Sequence, residues 1–579
     1  MAANKATIIC RTAVDEKEDT RQIFENYEKE EWRSWPNNGA FDGLEEHRGP
    51  IVLKVKGSIP SWAAGTLYRT GPGQSEVENT SRGTHHVSHW FDGFAHTHRF
   101  DIIPSVQDGN QCTVTYYSRR QSEEYIQMVK EKGWRVDISF GQRNDPCIGI
   151  FAKFMSLFTP RQVNNNVAVL PNLPGLERKH SVSSSYWTEP KNVYTSTDNA
   201  TLQKLDPNTL EPVGTATQKD LHPDLKGPMS CAHAQRDPET GDLFNFNLDM
   251  GRIGTYRVFR VNADTGTTDI LATVRDKELV PAYIHSFFLT QNHVILCVPT
   301  SHLGWNGLKV LWERNIIEAI KPFNKKERCK WLVIDRREGR GVVAKFSTPA
   351  SFFFHSVNAF EEKSKDEHGN EVTNFYMDYV KYANTDIMHF LYYDILKGQN
   401  GAATNGLGER GGYKSAQTHL VRHKFTMHAL PQENCGSSAY AQPAEEMFSI
   451  PGPHSGELPT INPNRAGKAY RYVYGVSSQG RNIFMDSLVK TDLENRKALI
   501  WNGPIGHTPG EPIFVPRPGG TKEDDGVILT LVLDGSAQES YLLCLDAQTL
   551  EELGRAETSF PIALGLHGSH VSSVEKSAL

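Results

Sequence analysis

Short runs of alternating apolar and polar residues recur along the chain and predict β-strands. These runs are rich in Val, Ile, Tyr, Phe and Thr and are separated by Gly, Asp, Asn and Pro, whereas helical periodicity is sparse. Five segments place two such runs around a turn containing Asp, Asn or Gly, and each predicts a hairpin: residues 201–214, 256–271, 330–346, 487–501 and 541–557. The chain is therefore predicted to be all-β.

The spacing of the hairpins, roughly 50 to 70 residues, is typical of a β-propeller with long insertions, because each blade needs its neighbours to bury its faces. Periodicity alone leaves a β-sandwich or a pair of β domains open as alternatives.

Three segments interrupt the strand pattern. Residues 149–158 and 387–398 are apolar and aromatic at helical spacing, and each is interpreted as a core helix or as an exposed patch that rests on a membrane. The turn-rich segment 400–413 predicts a mobile loop. Its glycines match G-x-G-x-x-G by letter, but no buried strand precedes them, so a dinucleotide site is not predicted.

Composition narrows the classes of function. The 579 residues carry 62 Lys and Arg against 68 Asp and Glu, a net charge of −6, which argues against a nucleic-acid partner. The sequence contains no apolar run of about 18 residues that could span a membrane. The early charges at the N-terminus do not match a secretory signal, so a cytoplasmic location is expected. Eight scattered cysteines fit reduced thiols.

Histidine is the most informative residue type, and the chain has 22. The densest cluster lies on a predicted strand and hairpin without a helix or acid to complete a metal site, so metal binding is not favoured there; it comprises His85, His86, His89, His96 and His98. Four other histidines lie near apolar strands, where an imidazole can bind a metal or form a core hydrogen bond: His233, His285, His355 and His567. Only a radial fold would bring such distant residues to one axis.

The settings of these four histidines resemble those of the carotenoid cleavage oxygenase family. The resemblance runs in order from about residue 50 to residue 570. Within the family, the sequence is similar to the branch that holds the animal carotene oxygenases and the retinoid isomerase, and also to the fungal carotene and torulene oxygenases. Five further segments carry it: LYRTGPG (67–73), FDGFAHTHRFD (91–101), NDPCIGIF (144–151), GELPTINPNRAGKAYRYVYG (456–475) and EPIFVPRPGGTKEDDGVIL (511–529).

The resemblance implies an N-terminal extension over residues 1–48 and a seven-bladed β-propeller over 49–579, with helical and loop insertions that cap one face. It also implies a non-haem Fe(II) ion on the axis, held by His233, His285, His355 and His567. Carboxylates would accept the outer N–H of these rings and fix their tautomers. The implied carboxylates are Glu457, Glu511 and, in place of a third glutamate, Asp198, whose shorter side chain leaves a direct, water-mediated or missing contact open.

The implied reaction inserts both atoms of O2 across a conjugated C=C bond of a carotenoid, such as torulene or β-carotene, and gives apocarotenal or other aldehyde products. Cleavage of a smaller stilbene, and a retinoid-isomerase-like or non-catalytic propeller, are the alternatives. A polyene needs a dry channel, for which Phe287, Phe353 and Phe354 are candidates, although core packing would explain these residues equally well. Such a substrate also predicts peripheral membrane contact, through residues 148–158 and 387–396, with Lys153 and Lys397 reaching the headgroups.

Overall fold

Antiparallel strands dominate the chain. The computed structural model describes residues 5–41, 44–105, 111–135, 137–143, 163–177, 190–409, 412–428 and 439–573. Most strands belong to sheets of four or more strands that follow one another along the sequence, which is the organisation of a β-propeller.

Four consecutive sheets have four strands each, paired in chain order as antiparallel meanders. The first contains Ala168–Pro171, Val193–Ser196, Thr201–Leu205 and Pro212–Thr217, and the second contains Gln235–Arg236, Leu243–Asp249, Thr255–Val261 and Thr268–Val274. The third contains Phe288–Leu289, His293–Val298, Arg328–Asp335 and Val342–Pro349, and the fourth contains Phe352–Lys365, Glu371–Tyr382, His419–His428 and Glu445–Pro451.

The next sheet gains a strand from the N-terminus, because Thr7–Thr12 pairs with Lys497–Asn502. Its other strands are Glu457–Thr460, Tyr472–Ser477 and Ser487–Asp492. The predicted division between an extension at 1–48 and a propeller domain at 49–579 stays a prediction.

A ten-stranded sheet joins the two ends of the chain. Ile51–Gly57 pairs with both Glu552–Glu557 and Cys112–Arg120, and the C-terminal strand His567–Ser572 pairs with Gly65–Gln74. Early and late strands therefore share one sheet, which closes the ring. The remaining strands of this sheet are Phe94–Pro104, His507–Pro509, Ile513–Pro516, Gly526–Asp534 and Glu539–Asp546, and Glu76–Thr80 and Gly83–His86 form a separate hairpin.

Helices occupy the connections. The described α-helices are Glu16–Glu28, Glu123–Lys132, Gln218–Leu221, Leu308–Glu313, Ile316–Ala319, Ile387–Phe390, Tyr393–Leu396 and Ala402–Glu409. The described 3₁₀ turns are Glu31–Ser34, Asn38–Ala40, Ser61–Ala63, Trp90–Asp92, Gly304–Gly307, Gln399–Gly401, Gly412–Ala416 and Pro463–Arg465.

The all-β propeller prediction and the five hairpins are confirmed, because each predicted segment contains two paired strands joined by a turn. Seven as the number of blades stays a prediction. The mobile loop predicted for 400–413 is wrong, since much of it forms the helix Ala402–Glu409. Ala403 of this helix is buried in the main apolar core, and that packing outweighs the low helix propensity of its glycines.

Candidate metal centre

Four histidine side chains converge on one point. Nε2 of His233 lies 3.1 Å from Nε2 of His285, and Nε2 of His355 lies 3.2 Å from Nε2 of His567. One ring nitrogen from each of the four lies within 4.8 Å of the others. Among the residues that the structure describes, no other group of three or more His, Cys, Asp or Glu side chains meets in this way.

The histidines converge because each lies at or just before an edge strand of a different sheet. His233 precedes Gln235–Arg236, and His285 precedes Phe288–Leu289. His355 lies within Phe352–Lys365, and His567 is the first residue of His567–Ser572. In a propeller, the inner edge strand of each sheet lies next to the central axis, so distant segments present their side chains to one place.

Three of the four imidazoles donate a hydrogen bond from Nδ1 to a carboxylate. The acceptor oxygens lie at 2.8 Å in Asp198 for His285, at 2.6 Å in Glu457 for His355, and at 2.7 Å in Glu511 for His567. The contact of Asp198 is direct, which answers the question that its shorter side chain left open. Within the described residues, His233 has no carboxylate partner.

These hydrogen bonds fix the protonation of the rings. A carboxylate can only accept, so each of the three rings carries its proton on Nδ1 and presents a lone pair at Nε2. Burial lowers the pKa of His233 and of His567 well below the ordinary value, and neighbouring imidazoles lower it further. A second proton on these rings is therefore unfavourable.

The donor set fits a metal ion. Lone pairs that face each other at 3.1 to 3.2 Å repel unless a cation lies between them. Two nitrogens bound to one ion at about 2.1 Å are about 3.0 to 3.4 Å apart, which matches both pairs. Neutral imidazole is a common ligand of iron, zinc, copper and nickel, so the donor set alone does not select the metal.

Other groups hold the carboxylates in place. The Tyr283 hydroxyl donates to Asp198 at 2.6 Å, and the Tyr382 hydroxyl donates to Glu457 at 2.6 Å. Burial acts to raise the pKa of Glu457, but its interaction with His355 and the hydrogen bonds that it accepts from His355 and Tyr382 outweigh burial, so the pKa is lowered. This carboxylate is therefore held in its ionised, accepting form.

Arg69 supports the third carboxylate. Its guanidinium is fully buried, lies 3.7 Å from the Glu511 carboxylate, and donates to the backbone carbonyl of Glu511 at 3.1 Å. Burial raises the pKa of Glu511 to about 7, and the positive charge of Arg69 opposes this rise. Sequence reasoning missed Arg69, although it lies within LYRTGPG; it missed Tyr283 and Tyr382 as well.

Two glycines allow the backbone to approach this site closely. A Cβ at Gly456, beside Glu457, would lie 2.4 Å from the carbonyl oxygen of Val476. A Cβ at Gly568, beside His567, would lie 2.7 Å from the carbonyl oxygen of Tyr68. Both contacts are too short for any side chain, so these positions require glycine.

An apolar cavity ends at the histidines. It encloses about 1280 Å³ of empty space, including its opening to solvent. Its inner end is formed by His285, His355 and His567, with aromatic and branched side chains around them. Such a lining suits a long hydrophobic molecule.

Of the three phenylalanines proposed for this lining, the structure places only Phe354 there, with its ring centroid 5.5 Å from that of His285. Phe353 instead packs against Phe288 and Trp331, and Phe287 packs against Phe246. A register shift between Phe353 and Ser356 breaks the alternation of the strand, so that the adjacent residues Phe354 and His355 both reach the cavity.

A family model described as "Retinal pigment epithelial membrane protein" matches residues 40–572. The chain belongs to this family, the carotenoid oxygenases. It is 53% identical to a torulene dioxygenase of Gibberella fujikuroi, over 99% of this chain and 100% of that protein. It is 48% identical to a carotenoid dioxygenase of Neurospora crassa, over 97% and 95% of the two chains. A solved structure of cobalt-substituted Synechocystis apocarotenoid oxygenase shares the fold, with a TM-score of 0.67, 22% identity, and coverage of 94% of this chain and 98% of that one.

The dense histidine cluster between His85 and His98 does not form a metal site. His86 is exposed near Glu76, His89 bonds the carbonyl of Met388, and His96 and His98 are buried side by side on Phe94–Pro104. The six described cysteines are free thiols, as expected.

The two segments predicted to contact a membrane have different outcomes. Residues 148–158 lie outside the described residues. The exposed patch expected at 387–396 is wrong, because its apolar residues Met388, Phe390, Ile395 and Leu396 are buried, and most of them line the cavity. No helix in the described ranges is long and apolar enough to cross a bilayer.

Proposed function

We propose that this protein is an Fe(II)-dependent oxygenase that cleaves a conjugated C=C bond of a carotenoid such as torulene or β-carotene. Four converging imidazole nitrogens, from rings of which three line the inner end of a large apolar cavity, carry this proposal. The names of the relatives support it, since a torulene dioxygenase and a carotenoid dioxygenase are about half identical to this chain over nearly its whole length.

The residues of the chain position the reactants. His233, His285, His355 and His567 would hold the ion, and Asp198, Glu457 and Glu511 would orient three of the rings and offset part of its charge. The bound Fe(II) would supply the reactivity toward O2. The apolar lining would exclude water and hold one double bond of the polyene beside the histidines. The lining would therefore promote the reaction by bringing the reactants close together in the right orientation.

The reaction adds one oxygen atom to each carbon of the cleaved double bond. One C=C bond and one O2 molecule become two C=O bonds, so no reductant is needed. The proposal requires no proton transfer from the protein, which agrees with a site whose carboxylates are all occupied by hydrogen bonds.

Product analysis tests this function. The purified protein, loaded with Fe(II), would be incubated in detergent with torulene, β-carotene and resveratrol under ¹⁸O2, and the products identified by mass spectrometry. We expect labelled apocarotenals from a carotenoid. Cleavage of resveratrol alone would instead establish the stilbene alternative, and the absence of any labelled aldehyde would refute the oxygenase.

We further propose that the protein binds a membrane surface through an apolar patch that the sequence did not suggest. The patch comprises Trp305, Leu308, Leu311 and Trp312, which are 61%, 47%, 41% and 56% exposed. Trp305 also has a left-handed backbone (φ 53°), which is strained for a bulky residue. Clustered exposed tryptophan and leucine beside Lys309 suit the interface of a bilayer, where a polyene substrate would dissolve.

A further inference from the structure

The N-terminal helix Glu16–Glu28 has an apolar face that the protein buries only in part. Thr20, Ile23, Phe24 and Tyr27 follow the i, i+3, i+4, i+7 spacing of one helix face, and all four line the cavity. No residue of this helix is fully buried. The apolar face is therefore directed at the space that a ligand would fill.

Polar contacts help to hold the helix on the propeller. Asp19 accepts a hydrogen bond from His454 at 2.7 Å, Arg496 pairs with Glu16 at 2.7 Å, and the Asn26 amide donates to the carbonyl of Gln479 at 2.8 Å. Because these contacts lie beside the apolar face, they fix the helix without using Ile23 or Phe24.

Tyr27 is held in a defined orientation. Its ring stacks on that of Tyr413, with centroids 3.5 Å apart and planes 7° from parallel, and its hydroxyl lies 2.8 Å from Oγ of Ser478. Tyr413 belongs to the 3₁₀ turn Gly412–Ala416 and also lines the cavity. The two rings form a rigid part of the wall.

The side chains at the two ends of the cavity differ in their exposure to solvent. His285, His355 and His567 are 2%, 8% and 6% exposed, whereas Ile23, Phe24, Tyr27 and Tyr413 are only partly buried. A polyene with one double bond at the histidines would extend outward along the apolar lining. A long polyene would reach the helix, and a short one would end before it.

We propose that Ile23, Phe24 and Tyr27 contact the outer part of the bound polyene and select substrates by length. This inference rests on the proposed function, since it takes a polyene as the ligand. It makes the N-terminal segment a specificity element of the cavity.

The test compares a full-length carotenoid with an apocarotenal of about half its length. Phe24→Ala and Tyr27→Ala remove apolar contact area, so kcat/KM for the full-length carotenoid is expected to fall about 5- to 50-fold. The value for the short apocarotenal should stay close to that of the unaltered protein. Lys17→Ala, on the exposed face of the helix, is the control and should behave like the unaltered protein.

Binding to the metal-free protein, followed by visible circular dichroism of the polyene, provides a second readout. The same length dependence in binding supports the inference even when no aldehyde forms, in which case the proposed function fails and this inference holds. Equal changes for both substrates in a variant whose thermal unfolding matches that of the unaltered protein, or no change for either substrate, would overturn it.

Discussion

Asp198 connects the segments of two metal-centre histidines. Its Oδ2 accepts the Nδ1 proton of His285 at 2.8 Å, and its Oδ1 accepts the backbone N–H of Ala232, next to His233, at 3.0 Å. One short carboxylate thus orients the ring of His285 and fixes the backbone that presents His233. His233 has no carboxylate of its own among the described residues, so this backbone contact is its link to the acidic groups around the site.

Asp198→Asn should weaken metal binding and activity together. An amide of the same shape keeps one acceptor oxygen, so it can serve His285 or Ala232 but not both. We expect a loss of about 10- to 100-fold in metal affinity, as is typical for groups that orient a metal ligand. Metal content after dialysis against a chelator, and kcat/KM, measure the effect. Tyr283→Phe removes the hydroxyl that contacts Asp198 and His285 but keeps the hydrogen bond between those two residues, so it is the matched comparison and should lose less.

Replacing any one of the four histidines by alanine should abolish metal retention and turnover together. Each variant leaves three imidazoles around the ion and removes the partner of one close Nε2 pair. His86→Ala, on an exposed hairpin, is the control and should retain its metal. A folded His355→Ala variant with a full complement of metal would show that His355 is not a ligand.

Glu457→Gln should affect the site more than Tyr382→Phe. The glutamate accepts from both His355 and the Tyr382 hydroxyl, whereas the tyrosine contacts the ring only through this carboxylate. We expect about a 10- to 100-fold loss of activity for Glu457→Gln. Activity and metal content are measured for both variants. Equal losses of activity and metal in the two variants would show that the Tyr382 hydroxyl contributes as much as the Glu457 carboxylate to orienting His355.

The strand pattern and the site were readable from sequence for different reasons. A hairpin is local, so alternation and turn residues suffice, and residues 201–214 and 541–557 form the predicted strand pairs. The convergence of His233 and His567 is not local. It followed from the resemblance to a family, because no periodicity within one segment reports which sheet edges share an axis.

The remaining features depended on packing that sequence patterns do not encode. The apolar segment 387–396 would have the same sequence pattern facing a membrane or a core. Only the burial of its side chains in the structure distinguishes the two. Phe354, and not Phe353, lines the cavity beside His355 because of a register shift that the residue types do not predict. Arg69 is a buried cation, which composition alone would place on the surface.

The exposed patch at Trp305–Trp312 should mediate binding to lipid vesicles. A double variant, Trp305→Ser with Trp312→Ser, removes the two largest exposed apolar side chains of the described residues. We expect it to lose most of its co-flotation with phospholipid vesicles, since interfacial binding scales with buried apolar area. Activity should fall when the carotenoid is supplied in vesicles but not when it is supplied in detergent, because the patch lies outside the cavity lining. Ile8→Ser, at another exposed apolar residue, is the control, and unchanged flotation of the double variant would contradict the assignment.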